Sequence, residues 1–392
     1  MRDSQRLAVT PSARSEVPPF IVMDVMAAAA QLEAEGRHII HMEVGQPAAP
    51  APAPAIAAAQ AALAAGRLAY TAALGLPGLR ARIARHYDEM YGIAVDPARV
   101  VATTGSSSAF MLAFLALFEP GDRVAIATPG YPPYRHILKA LGCEPVLIET
   151  TAETRWAMTV DALMAAHRSS PLKGLLVASP ANPTGTMMTA ASLTALIAAA
   201  ESEGIRFVSD EIYHGLDYAF PATTSAGLSE RCVVINSFSK YFCMTGWRIG
   251  WMVVPETLVR TVERLQQNLA ISVPTLSQIA AEAAFDGHAE MEEVKHGYAT
   301  NRQILIEGLP AAGLDRFLPV DGAFYLYADV SRFSTDSLDF AKRMLQEAGV
   351  AATPGIDFDP IRGQHFIRFC YAGSASEMRE AVARIGSWLN GR

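Results

Sequence analysis

Between residues 100 and 254 the chain alternates short apolar runs with longer stretches whose apolar positions recur every three or four residues. The short apolar runs Val100–Thr103, Arg123–Ala127, Gly174–Ala178, Arg206–Ser209, Cys232–Asn236 and Ile249–Val254 read as buried strands. The stretches between them predict helices over about 107–118, 132–141, 159–168, 189–203 and 256–270. Strands alternating with helices predict a mostly parallel sheet covered by helices, an α/β fold. Ligands of such sheets bind beyond the carboxyl ends of the strands, so polar residues that directly follow each run are the candidates for chemistry.

The pattern changes after about residue 287. A long helical stretch (288–308) precedes a strand at Phe324–Asp329, a helix near 336–348, strands near 350–353 and 365–371, and a final helix. We expect a smaller α+β domain here, joined by an N-terminal helix (20–35) and a strand at Ile39–Val44. The division expected is a large domain over 46–286 and a small one made of 1–45 and 287–392. The alanine- and proline-rich stretch 47–59 reads as a connection that enters a helix, and no internal repeat is present.

Composition narrows the class. The 392 residues are 51% hydrophobic and 18% charged, which is globular, and the net charge of −7 comes without any lysine- or arginine-rich run. We therefore expect no nucleic-acid partner. The segment Met1–Phe20 has no apolar run of secretory length, and Val25–Ala30 is far too short to span a bilayer, so we expect no membrane association. The four cysteines show no metal spacing, so we expect no metal site and a reducing, cytoplasmic setting.

Four segments carry candidate chemistry. Ser237-Phe238-Ser239-Lys240 follows an apolar strand, and its neighbours Phe242, Met244, Trp247 and Ile249 make a solvated face improbable. A desolvated lysine has a lowered pKa, as an amine needs to form an imine with an aldehyde. Arg248 adds a planar fork suited to a phosphate. Ser209-Asp210-Glu211-Ile212-Tyr213 sets an acid at another strand end, where a helix-capping carboxylate is the plain alternative. Ala181-Asn182-Pro183-Thr184-Gly185 follows a third strand and taken alone is turn chemistry. Thr104-Gly105-Ser106-Ser107 opens a helix whose N–H groups suit an anion or simply a serine cap.

Taken together and in this order, Asn-Pro-Thr-Gly, Ser-Asp-Glu-Ile-Tyr, Ser-Phe-Ser-Lys and Gly-Trp-Arg-Ile-Gly resemble the class I/II aminotransferases of fold type I. The likeness extends from Val44-Gly45-Gln46-Pro47 to Phe366-Ile367-Arg368-Phe369. It implies a seven-stranded, mostly parallel sheet with a smaller α+β domain, and pyridoxal 5′-phosphate as cofactor. Lys240 matches the lysine that holds the cofactor as a Schiff base and moves the substrate α-proton. Asp210 matches the acid at the pyridine nitrogen, which strengthens the ring as an electron sink. Tyr213 and Asn182 match the partners of the cofactor's phenolic oxygen, and Tyr131 the aromatic stacked on its ring. Ser237, Arg248 and the N–H groups of Ser106 and Ser107 match the phosphate cup. Arg368 matches the grip on the substrate carboxylate, with Gly45 and Asn182 beside it. Tyr70 matches a residue that reaches the neighbouring subunit's phosphate, so the resemblance implies a homodimer. Gln46 departs from the family, where an acid is common.

The activity implied is ping-pong transfer of an amino group from an L-amino acid to a 2-oxo acid. A β-eliminating carbon–sulfur lyase on the same scaffold would keep nearly all these residues and is the alternative. The Ser237-x-x-Lys240 pattern of penicillin-interacting enzymes lacks its companion Lys-Thr-Gly and Ser-Asp-Asn segments here. An effector-sensing domain fused to a DNA-binding head would need more chain ahead of the first helix. The segment Asn268–Thr275 has no arginine, which disfavours one mode of dicarboxylate recognition. Phe20 and Ile21 are candidates for an apolar lid.

Overall fold

The computed structural model describes residues 9–66 and 68–391. The first eight residues of the expected N-terminal arm therefore lie outside it. In chain order the elements begin with helix α1 (Ile21–Ala34), strand β1 (Ile40–Met42) and helices α2 (Ala53–Ala65) and α3 (Pro77–Tyr91). Then come β2 (Val100–Thr103), α4 (Gly105–Leu117), β3 (Arg123–Thr128), α5 (Pro132–Ala140), β4 (Glu144–Glu149), α6 (Val160–Ser169) and β5 (Gly174–Ala178). Next are α7 (Ala190–Ser202), β6 (Arg206–Asp210), β7 (Val233–Ser237), β8 (Gly250–Val253), α8 (Glu256–Leu269) and α9 (Thr275–Ala284). The chain ends with α10 (His288–Ala311), β9 (Tyr325–Asp329), α11 (Ser337–Arg343), β10 (Val350–Pro354), β11 (Phe366–Cys370) and α12 (Ala375–Asn390).

Two sheets form. The larger has seven strands in the order β2-β8-β7-β6-β5-β3-β4. Its members from β7 to β4 are mutually parallel, and β8 runs against both β7 and β2. Strands β2, β7 and β8 are buried at every position. That is why their sequences read as continuous apolar runs and not as alternation. The smaller sheet has the order β1-β10-β11-β9, with β1 parallel to β10 and the rest antiparallel. It brings the N-terminal strand together with strands from beyond residue 324. Helix α1 lies against it through Ala29 and the half-buried Val25 and Leu32, which meet Ile39, Leu345 and Ala351.

The elements differ from expectation in three places. Helix α2 begins at Ala53, inside the stretch read as a connection: Pro52 and Pro54 set its first turn, an alanine run propagates it, and Gly66 at φ 67° ends it. Strand β4 (Glu-Pro-Val-Leu-Ile-Glu) is half-exposed along most of its length and sits at the sheet edge, where a proline and flanking acids bound a short apolar run. Helices α3 and α9 add cover that the expected elements did not include.

The consequence for function lies at one edge of the large sheet. The carboxyl ends of β2, β3, β5, β6 and β7 point the same way, and antiparallel β8 starts there. The residues that follow those ends, and Arg248 just before β8, therefore converge.

Candidate active site

The cleft at that edge is closed from above by the small sheet and by the start of α1. Its walls include Phe20, Gly45, Ser106, Tyr131, Asn182, Tyr213, Lys240, Arg248, Tyr325 and Arg368. Lys240 lies at its floor. Its Nζ donates to the Gly45 carbonyl at 2.7 Å and sits 5.8 Å from the centre of the Tyr213 ring. Its pKa is lowered to about 8, chiefly by burial; Cys370 and Asp210 act to raise it, and the guanidinium groups of Arg368 and Arg248 to lower it. A lysine buried this way holds a far larger share of free amine near neutrality than a surface lysine.

Asp210 ends β6 and is 2% exposed. Its Oδ2 accepts the Tyr134 hydroxyl and its Oδ1 accepts the Ile212 N–H at 3.1 Å. Burial raises its pKa to about 6, while the bonds from Tyr134 and Ile212 pull the other way. Asp210 thus stays largely ionised at neutral pH inside an apolar wall. Tyr134 does not figure among the residues expected from sequence, although it stands three positions after Tyr131.

The end of the cleft at the start of α4 has groups suited to an anion. Gly105 opens α4 at φ +71°, and a Cβ there would lie 2.5 Å from an Arg248 guanidinium nitrogen. Glycine therefore serves both the backbone conformation and the approach of Arg248 to the helix start. The first turn of α4 has no side-chain cap, so the N–H groups of Ser106 and Ser107 are available to an anion. Arg248 itself has left-handed backbone (φ 51°) and donates to the Thr245 carbonyl at 3.1 Å. Ser237 sits behind this end: its hydroxyl donates to Ser239 Oγ at 2.9 Å, and Ser239, not Ser237, lines the cleft.

At the opposite end Arg368, 2% exposed, projects from β11. It donates to Asn182 Oδ1 at 3.0 Å, to Thr353 Oγ1 at 3.1 Å and to the Glu43 carbonyl. Its guanidinium lies 4.5 Å from the Tyr325 ring centre and 4.7 Å from that of Phe358. Its Nε is buried without a partner. A buried cation with an orphan donor in a cleft wall suits an anionic group.

Tyr325 connects the two ends and was not foreseen. Its hydroxyl lies 2.7 Å from that of Tyr213, and a Cβ on Gly45 would overlap it. Burial holds both hydroxyls protonated, well above the usual tyrosine range. Tyr131 projects into the cleft and meets Phe20 edge-on at 5.8 Å. Tyr70 does not join this chain's cleft: it is 81% exposed. Among the described residues no group of three His, Cys, Asp or Glu could hold a metal.

A profile of the class I and II aminotransferases matches residues 37–385, and the chain belongs to that family. It is a transaminase. The chain is 50% identical to a valine–pyruvate aminotransferase of Mycobacterium tuberculosis, across 96% of this chain and 97% of that one. It is 34% identical to a (5-formylfuran-3-yl)methyl phosphate transaminase of Methanocaldococcus jannaschii, across 95% and 97%. Among solved structures, an aminotransferase from Mycobacterium tuberculosis superposes with a TM-score of 0.95 at 49% identity, covering 98% of this chain and all of that one. The Thermus thermophilus aspartate aminotransferase with maleate superposes at 0.90 with 31% identity, covering 97% and 99%. These relatives give no support to the lyase alternative.

Proposed function

We propose that this transaminase uses pyridoxal 5′-phosphate held by Lys240 and moves the amino group of a neutral L-amino acid to a small 2-oxo acid by a ping-pong cycle. The observation that carries the donor class is the side of the cleft formed by Phe20, Val22, Met23, Val44 and Tyr131, which among the described residues offers no cation to a second carboxylate. Among the described residues the cations of the cleft are Lys240, Arg248 and Arg368, each with another task. The name of the valine–pyruvate relative agrees with that wall.

The residues fit the cofactor through the uncapped start of α4 beside Arg248, the buried carboxylate of Asp210 and the depressed pKa of Lys240. When bound, the cofactor supplies an electron sink for the pair left at the substrate Cα. Ser106, Ser107 and Arg248, backed by Ser237, would hold its phosphate. Tyr131 would cover its ring, and Asp210 would keep a negative charge at its ring nitrogen, oriented by Tyr134. Tyr213 would donate to its phenolic oxygen with Asn182 beside it. A hydroxyl donates one proton and accepts two, so Tyr325 would then donate to Tyr213 and polarise it. Arg368 would bind the substrate carboxylate bidentately, next to Gly45 and Asn182. Lys240 Nζ, in its free-amine form, would take the proton from the substrate Cα and return it to the cofactor carbon on the other side of the amino nitrogen.

We further infer a homodimer. Tyr70 is exposed beside other exposed apolar residues, Leu68, Leu269 and Ile271, and Ala69 accepts from Thr275 Oγ1 at 2.6 Å, which gathers them on one face. That face suits a second copy whose site Tyr70 would complete. The division at 46–286 remains our reading of the two lobes. The free, buried cysteines agree with a reducing cytoplasm. No helix among the described residues is long and apolar enough to cross a membrane. The test is to add L-valine or L-aspartate to holoenzyme without any oxo acid. The proposal expects L-valine to convert the cofactor's absorbance to that of its aminated form. A response to L-aspartate alone would overturn the donor class.

A further inference from the structure

The first turn of α1 forms the apolar wall, yet its anchor comes from the far end of the chain. Phe20, at the N-cap, provides no side-chain bond to the helix. The two free N–H groups that follow, of Ile21 and Val22, are each 3.3 Å from a different oxygen of the Asp357 carboxylate. Asp357 is 2% exposed, and its carbonyl accepts from Arg135 at 2.6 Å, so it is fixed in turn to α5. A carboxylate that straddles the first N–H groups of a helix is a cap with charge assistance.

The anchoring along α1 is uneven. Its later turns are packed by Ala29, Val25 and Leu32 against the small sheet. Its first turn is held over the cleft by the buried Val22, by the Asp357 bonds and by the edge-on contact of Phe20 with Tyr131. Phe20, Val22 and Met23 all line the same cleft as Lys240 and Arg368. The position of these three side chains above a substrate is therefore set by a residue that does not line the cleft.

We infer that Asp357 is a positioning residue for donor selectivity: it fixes the first turn of α1 so that Phe20, Val22 and Met23 form a rigid apolar wall against the donor's side chain. This inference rests on the proposed donor class. A branched apolar side chain extends further from Cα than the methyl of alanine, so such a wall should act more strongly on the branched donor. The carboxylate also adds negative charge on that side, near enough to act on Tyr131 and Arg368. That charge works against a donor with an acidic side chain.

The test compares wild type with Asp357→Ala, Asp357→Asn and Phe20→Ala. Hydrogen–deuterium exchange of the peptide covering the start of α1, on protein without substrate, reads the anchor directly. Asp357→Ala is expected to speed exchange there and to raise KM for L-valine by about tenfold, the usual worth of a lost cap, with kcat and KM for L-alanine much less changed. Asp357→Asn, which keeps one acceptor oxygen, is expected to fall between. Phe20→Ala removes part of the wall without touching the anchor, so it should shift the valine-to-alanine ratio even if Asp357→Ala fails to fold. Equal loss with both donors, or exchange identical to wild type, overturns the role of Asp357. Wild-type enzyme that accepts no neutral donor overturns the function reading and the selectivity built on it. The two failures are distinct: one appears only in the variants, the other already in wild type.

Discussion

Replacing Lys240 with methionine in the cofactor-free protein isolates what burial does to this amine. With its pKa near 8, Lys240 is about one-tenth free amine at pH 7, against about 3 in 10,000 for an ordinary lysine. The enrichment in nucleophile is thus about 300-fold. It carries a stability cost. The folded chain holds this lysine's proton less tightly than the unfolded chain, so between about pH 8 and 10.5 the unfolded state binds more protons. Stability then rises with pH across that window, and below it the full penalty applies, on the order of 3 kcal/mol. Methionine is apolar and of similar length but forfeits the 2.7 Å bond to the Gly45 carbonyl, worth about 1 kcal/mol. Lys240→Met apoprotein should therefore be more stable than wild type at pH 7 by about 1–3 kcal/mol, with the gap shrinking by pH 9.5. Urea unfolding of both proteins at the two pH values measures this. In parallel, the rate at which wild-type apoprotein takes up pyridoxal phosphate, followed by absorbance, should rise with a midpoint near pH 8. A methionine variant no more stable at pH 7, or an uptake midpoint near 10, would refute the reasoning that desolvation activates Lys240.

Three further outcomes are expected. Tyr134→Phe removes a bond that favours the ionised form of Asp210, whose pKa already sits near 6, so the acid limb of the kcat profile should move to higher pH; an unchanged limb would detach Tyr134 from Asp210. Arg368→Lys loses the bidentate fork and should raise donor KM by roughly 10- to 100-fold with a smaller change in kcat, checked by initial rates over a range of donor concentrations. Gly45→Ala should push Tyr325 away from Tyr213 and cost about 1–3 kcal/mol of stability in urea unfolding. Adding Tyr325→Phe, which removes the overlapping hydroxyl, should recover more than half of that loss in a double-mutant cycle.

What the chain discloses before folding follows from where each residue's signal lies. Strands β2, β5, β6 and β7 are buried on both faces, so their apolar runs stand out and their ends point to Asp210 and Lys240. Arg368 reads as β-strand with a lone charge, which only the family likeness turns into a carboxylate site. Edge strand β4, with Pro145 and acids at both ends, lacks the same contrast. Helix α9 buries Ser277 and Gln278, and buried polar residues blur its periodicity. Tyr134, Tyr325, Ser239 and Asp357 share one difficulty: each looks like ordinary core or turn sequence. Their meaning comes from contacts across the fold, such as Tyr325 with Tyr213 over 112 positions and Asp357 with Ile21 over 336. Local pattern cannot carry such pairings, because they join segments that only the folded chain brings together.

The most direct test of the account is a single half-reaction. Holoenzyme is mixed with L-valine in the absence of any oxo acid, and its visible spectrum is followed beside that of Lys240→Ala. The account predicts conversion of the wild-type cofactor band to the aminated form with release of the matching 2-oxo acid, and no conversion by the variant. A wild-type band that stays unchanged with every amino acid, or a variant that converts it as fast, would contradict the claim that Lys240 drives amino-group transfer at this site.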